Sequence, residues 1–132
     1  YQMKINTVFN NINIEANFTG KLNILEGNSG TGKTLLMKAI RLYCLNNSIP
    51  YRHLDYTNKD DTVEQLISYC SKAQIITIDN ADLFISDELL EGLCKTAKLI
   101  VISLKQTHLI SMDKTHTYIV HYENNHLSLE EF

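Results

Sequence analysis

Gly27-Asn28-Ser29-Gly30-Thr31-Gly32-Lys33-Thr34 is a run whose residue types suit one task, the capture of a phosphate chain together with a divalent cation. Glycines at 27, 30 and 32 open backbone conformations with positive φ that a Cβ blocks. Successive amide N–H groups can then turn inward and form a concave nest for an anion. A helix starting directly after the run adds the partial positive charge of its N-terminus. Lys33 is positioned to reach β- and γ-phosphates as a point charge on a flexible stem. Thr34 offers a hydroxyl to Mg²⁺, which takes oxygen ligands and keeps several waters. The spacing matches G-x-x-x-x-G-K-[ST] in full. Gly27, Asn28, Ser29, Gly30, Thr31, Gly32, Lys33 and Thr34, with Leu35 in the first helical turn, are therefore the candidate nucleotide-binding residues.

A second element lies downstream. Ile75-Ile76-Thr77-Ile78-Asp79 is an apolar strand pattern ending in a carboxylate. A buried parallel strand delivers its last side chain to the C-terminal edge of the sheet, where ligands bind. There Asp79 would face Thr34 and hold the water shell of Mg²⁺, so Thr34 and Asp79 are the candidate metal residues.

These residues need a strand before the glycines, a helix after them and a parallel sheet to align the rest. Residues 21–26 alternate as a strand, and Leu35, Leu36, Ala39, Ile40, Tyr43 and Cys44 have the spacing of an amphipathic helix over 33–45. Residues 4–18 read as two strands turning at Asn10-Asn11, and Tyr51–Tyr56 as a short strand. Asp61-Thr62-Val63-Glu64 reads as a capping box, with Val63, Leu66, Ile67 and Cys70 on one helical face. Ser86 opens another helix, residues 99–103 form a buried strand, and Asn124-Asn125 is a hairpin signal between Tyr118–Tyr122 and His126–Glu130. Strands alternating with helices predict right-handed crossovers and a parallel sheet. The expected architecture is one three-layer α/β domain over residues 1–132, mostly parallel, with antiparallel additions from the terminal segments at the sheet edges.

On its two motifs the chain resembles the P-loop ATPases of the AAA-type and ABC-type branch, over roughly residues 20–105. The glycine run is the Walker A element and Ile75–Asp79 the Walker B element. The resemblance implies a P-loop fold that binds ATP with Mg²⁺, with Lys33 and Asp79 in the catalytic set. It also marks departures. The hydrolysing members usually carry Glu directly after the Walker B aspartate, and here that position is Asn80, an amide that can orient water but cannot accept its proton. Asp82 either substitutes for that carboxylate or is a solvent-facing turn or cap residue, the latter being favoured. Ser103 stands where AAA-type members place a polar sensor near the γ-phosphate, or is a plain polar strand end; Lys105 and Gln106 share that neighbourhood. There is no LSGGQ-like signature. Arg41 and Arg52 lack the context of an arginine finger.

Composition limits the remaining classes. Hydrophobic residues make up 44% of the 132-residue chain, enough for a core. The net charge of −3 and the pI of about 5.9 disfavour a broad nucleic-acid footprint and favour a protein partner or a homo-oligomer. Cys44, Cys70 and Cys94 are widely spaced among apolar neighbours and are expected to be buried, reduced thiols of a cytoplasmic protein. No apolar run is long enough to span a membrane. Tyr1 is not an initiator, so the native start is expected to lie elsewhere. Asn58-Lys59-Asp60-Asp61 spells the N-K-x-D of GTPases, but it precedes the Asp79 strand and no D-x-x-G follows. A small-molecule kinase would need cations over the transferred phosphoryl group, and residues 104–117 offer only Lys105 and Lys114. His53, His108, His116, His121 and His126 have no metal-ligand spacing, and the tyrosines read as packing residues. The expected activity is Mg²⁺-dependent ATP binding with slow intrinsic hydrolysis; the alternative is a nucleotide-dependent switch or assembly module.

Overall fold

The computed structural model describes residues 1–26, 32–106, 110–111 and 116–131. Its strands are β1 (Met3–Phe9), β2 (Ile12–Phe18), β3 (Leu22–Glu26), β4 (Tyr51–Leu54), β5 (Ile75–Ile78), β6 (Leu99–Ser103), β7 (His116–Glu123) and β8 (His126–Glu131). Its α-helices are α1 (Lys33–Asn46), α2 (Val63–Tyr69) and α3 (Asp87–Cys94), and single 3₁₀ turns cover Tyr56–Asn58 and Ala81–Leu83. The strands form one sheet in the order β1-β2-β8-β7-β3-β6-β5-β4. The five strands from β7 to β4 pair in parallel.

Side-chain alternation explains why helices cover both faces. Leu25, Ile75, Leu99 and Val101 point to one face, where Leu36, Met37 and Ile40 of α1 meet them. Leu22, Ile24, Ile76, Ile78, Ile100 and Ile102 point to the other, against Leu66 of α2 and Leu89, Leu90 and Leu93 of α3. Strands buried on both sides read as near-continuous apolar runs, which is how residues 99–102 and, but for Thr77, residues 75–78 appear in the sequence.

The antiparallel additions do not sit at the two edges of the sheet. Both hairpins lie beyond β7, and β4 is left as the opposite edge. The two-residue turn Asn124-Asn125, with φ of 52° and 58°, forces β8 into the slot beside β7. The free side of β8 then takes β2 in parallel pairing, and β1 closes that edge antiparallel to β2. Phe18 of β2 meets Tyr118 of β7 edge-to-face, with ring centroids 5.4 Å apart, and this contact packs the added strands onto the α1 core.

Three local expectations shift. The capping box of α2 is Thr62 with Gln65: Gln65 N–H donates to Thr62 Oγ1 at 3.1 Å and Thr62 N–H to Gln65 Oε1 at 2.8 Å. Asp61 is one residue early, and its carboxylate accepts from the Asn58 amide at 3.0 Å instead. The strand expected over Tyr51–Tyr56 stops at Leu54 because Asp55 turns to cap the following 3₁₀ turn. Cys44 and Cys70 are buried, and burial pushes their thiols up to about 11, but Cys94 is only half-buried.

Gly32 joins the loop to α1 and shows why that position excludes a side chain. It caps the helix with φ of 93°, and Leu36 N–H donates to its carbonyl at 2.9 Å. A Cβ there would lie 2.8 Å from Leu127 Cδ1 and 2.9 Å from Tyr122 Cδ2, so the β7–β8 hairpin presses on the end of the loop. Gly32→Ala is expected to cost about 1–3 kcal/mol through left-handed strain and the clash with the hairpin. Thermal unfolding would show this as a midpoint several degrees lower. An unchanged midpoint would mean that loop and hairpin do not touch.

Candidate functional site

Parallel pairing brings three strand ends to one edge. Leu25 of β3 stands opposite Ser103 of β6, and Ile78 of β5 opposite Ile102 of β6. The last residue of β6 therefore lies between the strand that leads into the glycine loop and the strand that ends at Asp79. At this edge Gly32, Lys33, Thr34, Leu35, Asp79, Asn80, Asp82, Ser103, Lys105 and Tyr122 line a cavity of about 370 Å³. Gly27, Asn28, Ser29, Gly30 and Thr31 lie outside the described residues.

Thr34 Oγ1 donates to Asp79 Oδ2 at 3.2 Å, although 45 positions separate the two residues. The aspartate is held from two more directions. Its N–H donates to the Leu54 carbonyl at 2.9 Å, and its Oδ1 accepts from Asn80 N–H at 3.0 Å. Asn80 takes a left-handed conformation, φ 52°, which asparagine tolerates better than most residues. That turn swings the chain out of β5 and into the 3₁₀ segment carrying Asp82.

Lys33 is not solvent-facing, as a lysine in a loop motif would be expected to be: it is only 9% exposed. Burial lowers its pKa; the Asp79 carboxylate opposes that, and the Lys105 ammonium adds to it. Two cations thus share the cavity with two carboxylates, Asp79 and Asp82.

Asp82 lies in the 3₁₀ turn Ala81–Leu83 and is half-buried. Its Oδ1 accepts from Lys105 N–H at 2.9 Å and its Oδ2 from Gln106 N–H at 2.8 Å. The carboxylate latches the 3₁₀ turn to the segment leaving β6 and so sets where Lys105 stands. Both of its oxygens are engaged by backbone donors, which makes it a positioning group. Ser103 is 5% exposed at the cavity floor.

Tyr122 was missed, being read only as packing. It is 40% exposed, lines the cavity and touches Gly32. Its placement follows from β7 pairing with β3, where Ile119 stands opposite Glu26 and the rest of β7 runs on beside the loop. No local sequence signal carries that pairing. The described histidines are taken up in ion pairs or short bonds: His53 with Asp55, His116 with Glu131, His121 with Glu130 and His126 with Glu15. Among the described residues no His/Cys/Asp/Glu cluster could hold a metal by itself, and no helix is long and apolar enough to cross a membrane. His108 and Lys114 lie outside the described residues.

No protein-family profile and no curated protein sequence matches the chain. Among solved structures, the flagellar accessory protein FlaH from Methanocaldococcus jannaschii superposes with a TM-score of 0.55 at 12% identity, covering 82% of this chain and 75% of that one. Protein NMB1076 from Neisseria meningitidis superposes with a TM-score of 0.47 at 15% identity, over 72% of this chain and 66% of that one, which is too slight a likeness to argue from. The likeness to FlaH shows the fold alone: an α/β chain with a mixed sheet of this kind.

Proposed function

We propose that the chain has a P-loop fold and binds ATP with Mg²⁺ in this cavity, hydrolysing it slowly when alone. The observation that carries this reading is the meeting of Lys33, Thr34 and Asp79 in one cavity, from sequence motifs 45 residues apart. The residues suit the ligand. Thr34 and Asp79 present oxygen donors side by side, the donor type that Mg²⁺ takes. Lys33 and Lys105 bring two ammonium groups to the cavity, the donor type that phosphate oxygens accept from. Its volume lies in the range of small-molecule sites.

In this reading Thr34 and Asp79 hold the metal, which neutralises phosphate charge when bound. Lys33 draws the β- and γ-phosphates toward the start of α1. Lys105, held by the Asp82 latch, supplies a second cation where charge develops on the transferred group. Ser103 gives a hydroxyl at the same edge. Slow turnover follows from what the carboxylates are already doing. Asp79 accepts from Thr34 and Asn80, Asp82 accepts two backbone N–H groups, and Asn80 cannot take a proton from water. A protein partner or a second copy would supply the missing base. If none does, the same site serves as a nucleotide-dependent switch. The choice of ATP over GTP comes from the resemblance to AAA-type and ABC-type ATPases.

Titration with ATP and with GTP in Mg²⁺, with phosphate release followed in the same samples, is expected to show ATP binding and slow release. Lys33→Ala is expected to weaken binding by about 30- to 150-fold, the loss of a charged hydrogen bond of about 2–3 kcal/mol, with its fold checked by thermal melting. Wild-type affinity in that variant would overturn the site. Asn80→Glu is expected to raise turnover by about 100-fold or more if a general base is what is lacking, with a stability cost of about 1 kcal/mol for a left-handed glutamate. Unchanged turnover in a folded Asn80→Glu protein would show that the missing group is a different one.

A further inference from the structure

A second cavity, of about 640 Å³, opens on the far side of Thr34, Asp79 and Asn80, which line both. Its walls are the outer face of α1 and the edge strand β4 with the turn that follows. Lys38 and Arg41 stand one helical turn apart on α1, and Arg52 comes from β4. The only two arginines of the chain therefore face one groove, in a protein whose net charge is −3.

The groove also has a flat, apolar rim. Leu45, Tyr56 and Tyr69 are 66%, 59% and 51% exposed, among the most exposed large apolar side chains of the described residues. The Arg52 guanidinium carbon lies 4.8 Å from the centroid of the Tyr69 ring, and its Nε donates to the Tyr69 carbonyl at 3.3 Å. Nη1 donates to the Tyr51 carbonyl at 3.4 Å, so the stacked planar cation keeps its Nη2 side for a ligand. Behind the rim the Tyr51 hydroxyl and His53 Nδ1 both bond Thr77 Oγ1, at 2.6 and 2.7 Å. Apart from Asp79, the acidic residue lining the groove is Asp55, and its Oδ1 already accepts two bonds from Thr57.

We propose that this groove is a second binding site, for a phosphate-bearing ligand with a flat ring: a nucleotide unit, either free as a monophosphate or carried in a single strand. Lys38 and Arg41 take the phosphate, and Tyr56 and the Tyr69–Arg52 stack take the ring, a pairing of cations and aromatic faces that suits nucleotides of any base. The volume holds one such unit. The shared wall of Thr34, Asp79 and Asn80 puts the ligand next to the site proposed for the triphosphate, so occupancy of one site bears on the other.

The test is calorimetric titration of the intact chain with thymidine monophosphate, with a short oligothymidylate and with inorganic phosphate, each with and without ATP and Mg²⁺. One or both thymidine probes are expected to bind. Lys38→Glu with Arg41→Glu is expected to weaken that binding by about tenfold or more, because two surface cations become anions. Tyr56→Ala is expected to weaken it as well, and Lys33→Ala to leave it intact. Tighter binding of the monophosphate identifies a free nucleotide as the source, and tighter binding of the oligomer a strand. The proposal is overturned if neither thymidine probe binds, if binding survives the double charge reversal, or if Lys33→Ala abolishes it, which would put the probes on the glycine loop. It is also overturned if inorganic phosphate binds as well as the thymidine probes and Tyr56→Ala changes nothing. Because ATP affinity is read in the same variants, loss of the ATP reading and loss of this one are separate results.

Discussion

Thr34 and Asp79 can meet because β3, β6 and β5 run parallel and end at one edge of the sheet. The hydroxyl comes from the first turn of the helix after β3, and the carboxylate from the residue after β5. Neither strand touches the other; β6 lies between them and sets their separation. Every apolar residue of β6 is buried, so its position is fixed by packing from both helix layers. The chemistry at the edge thus depends on side chains such as Leu99, Ile100, Val101 and Ile102 that never approach it. A cavity left by truncating one of them would loosen the spacing between the two motifs as well as lowering stability.

The second dependence is electrostatic. Lys33 is drawn into the cavity at a desolvation cost that Asp79 offsets only in part while Lys105 adds to it. Asp82 also opposes that cost, and its two backbone hydrogen bonds fix where Lys105 stands, so two cations and two carboxylates are held at set positions around the cavity.

Much of this was legible in the residues. The helix start after the glycine run, the apolar strand leading to Asp79, the hairpin asparagines and the cap at Ser86 are local signals, and among the described residues each of these elements formed where they placed it, within a residue or two. What failed was non-local. Alternation tells which face a side chain takes but not which strand lies next door, so the expectation of additions at both edges missed that β8 takes the slot beside β7 and draws β2 after it. Tyr122 was unreadable for the same reason. The latch from Asp82 could not be read because its partners are backbone amides of residues 105 and 106, which carry no side-chain signature. The capping box slipped by one residue because Asp61 with Glu64 and Thr62 with Gln65 satisfy the same pattern.

The seating of Gly32 against Leu127 and Tyr122 has a kinetic consequence. The first strands of the chain find their partners in the last: β2 pairs with β8, and β3 with β7. Contacts so distant along the chain make folding slow, since the whole intervening segment must be enclosed before they form. On a ribosome, the glycine loop would emerge long before the hairpin that braces its end. Gly32 would then lack that brace until β7 and β8 had left the exit tunnel and paired.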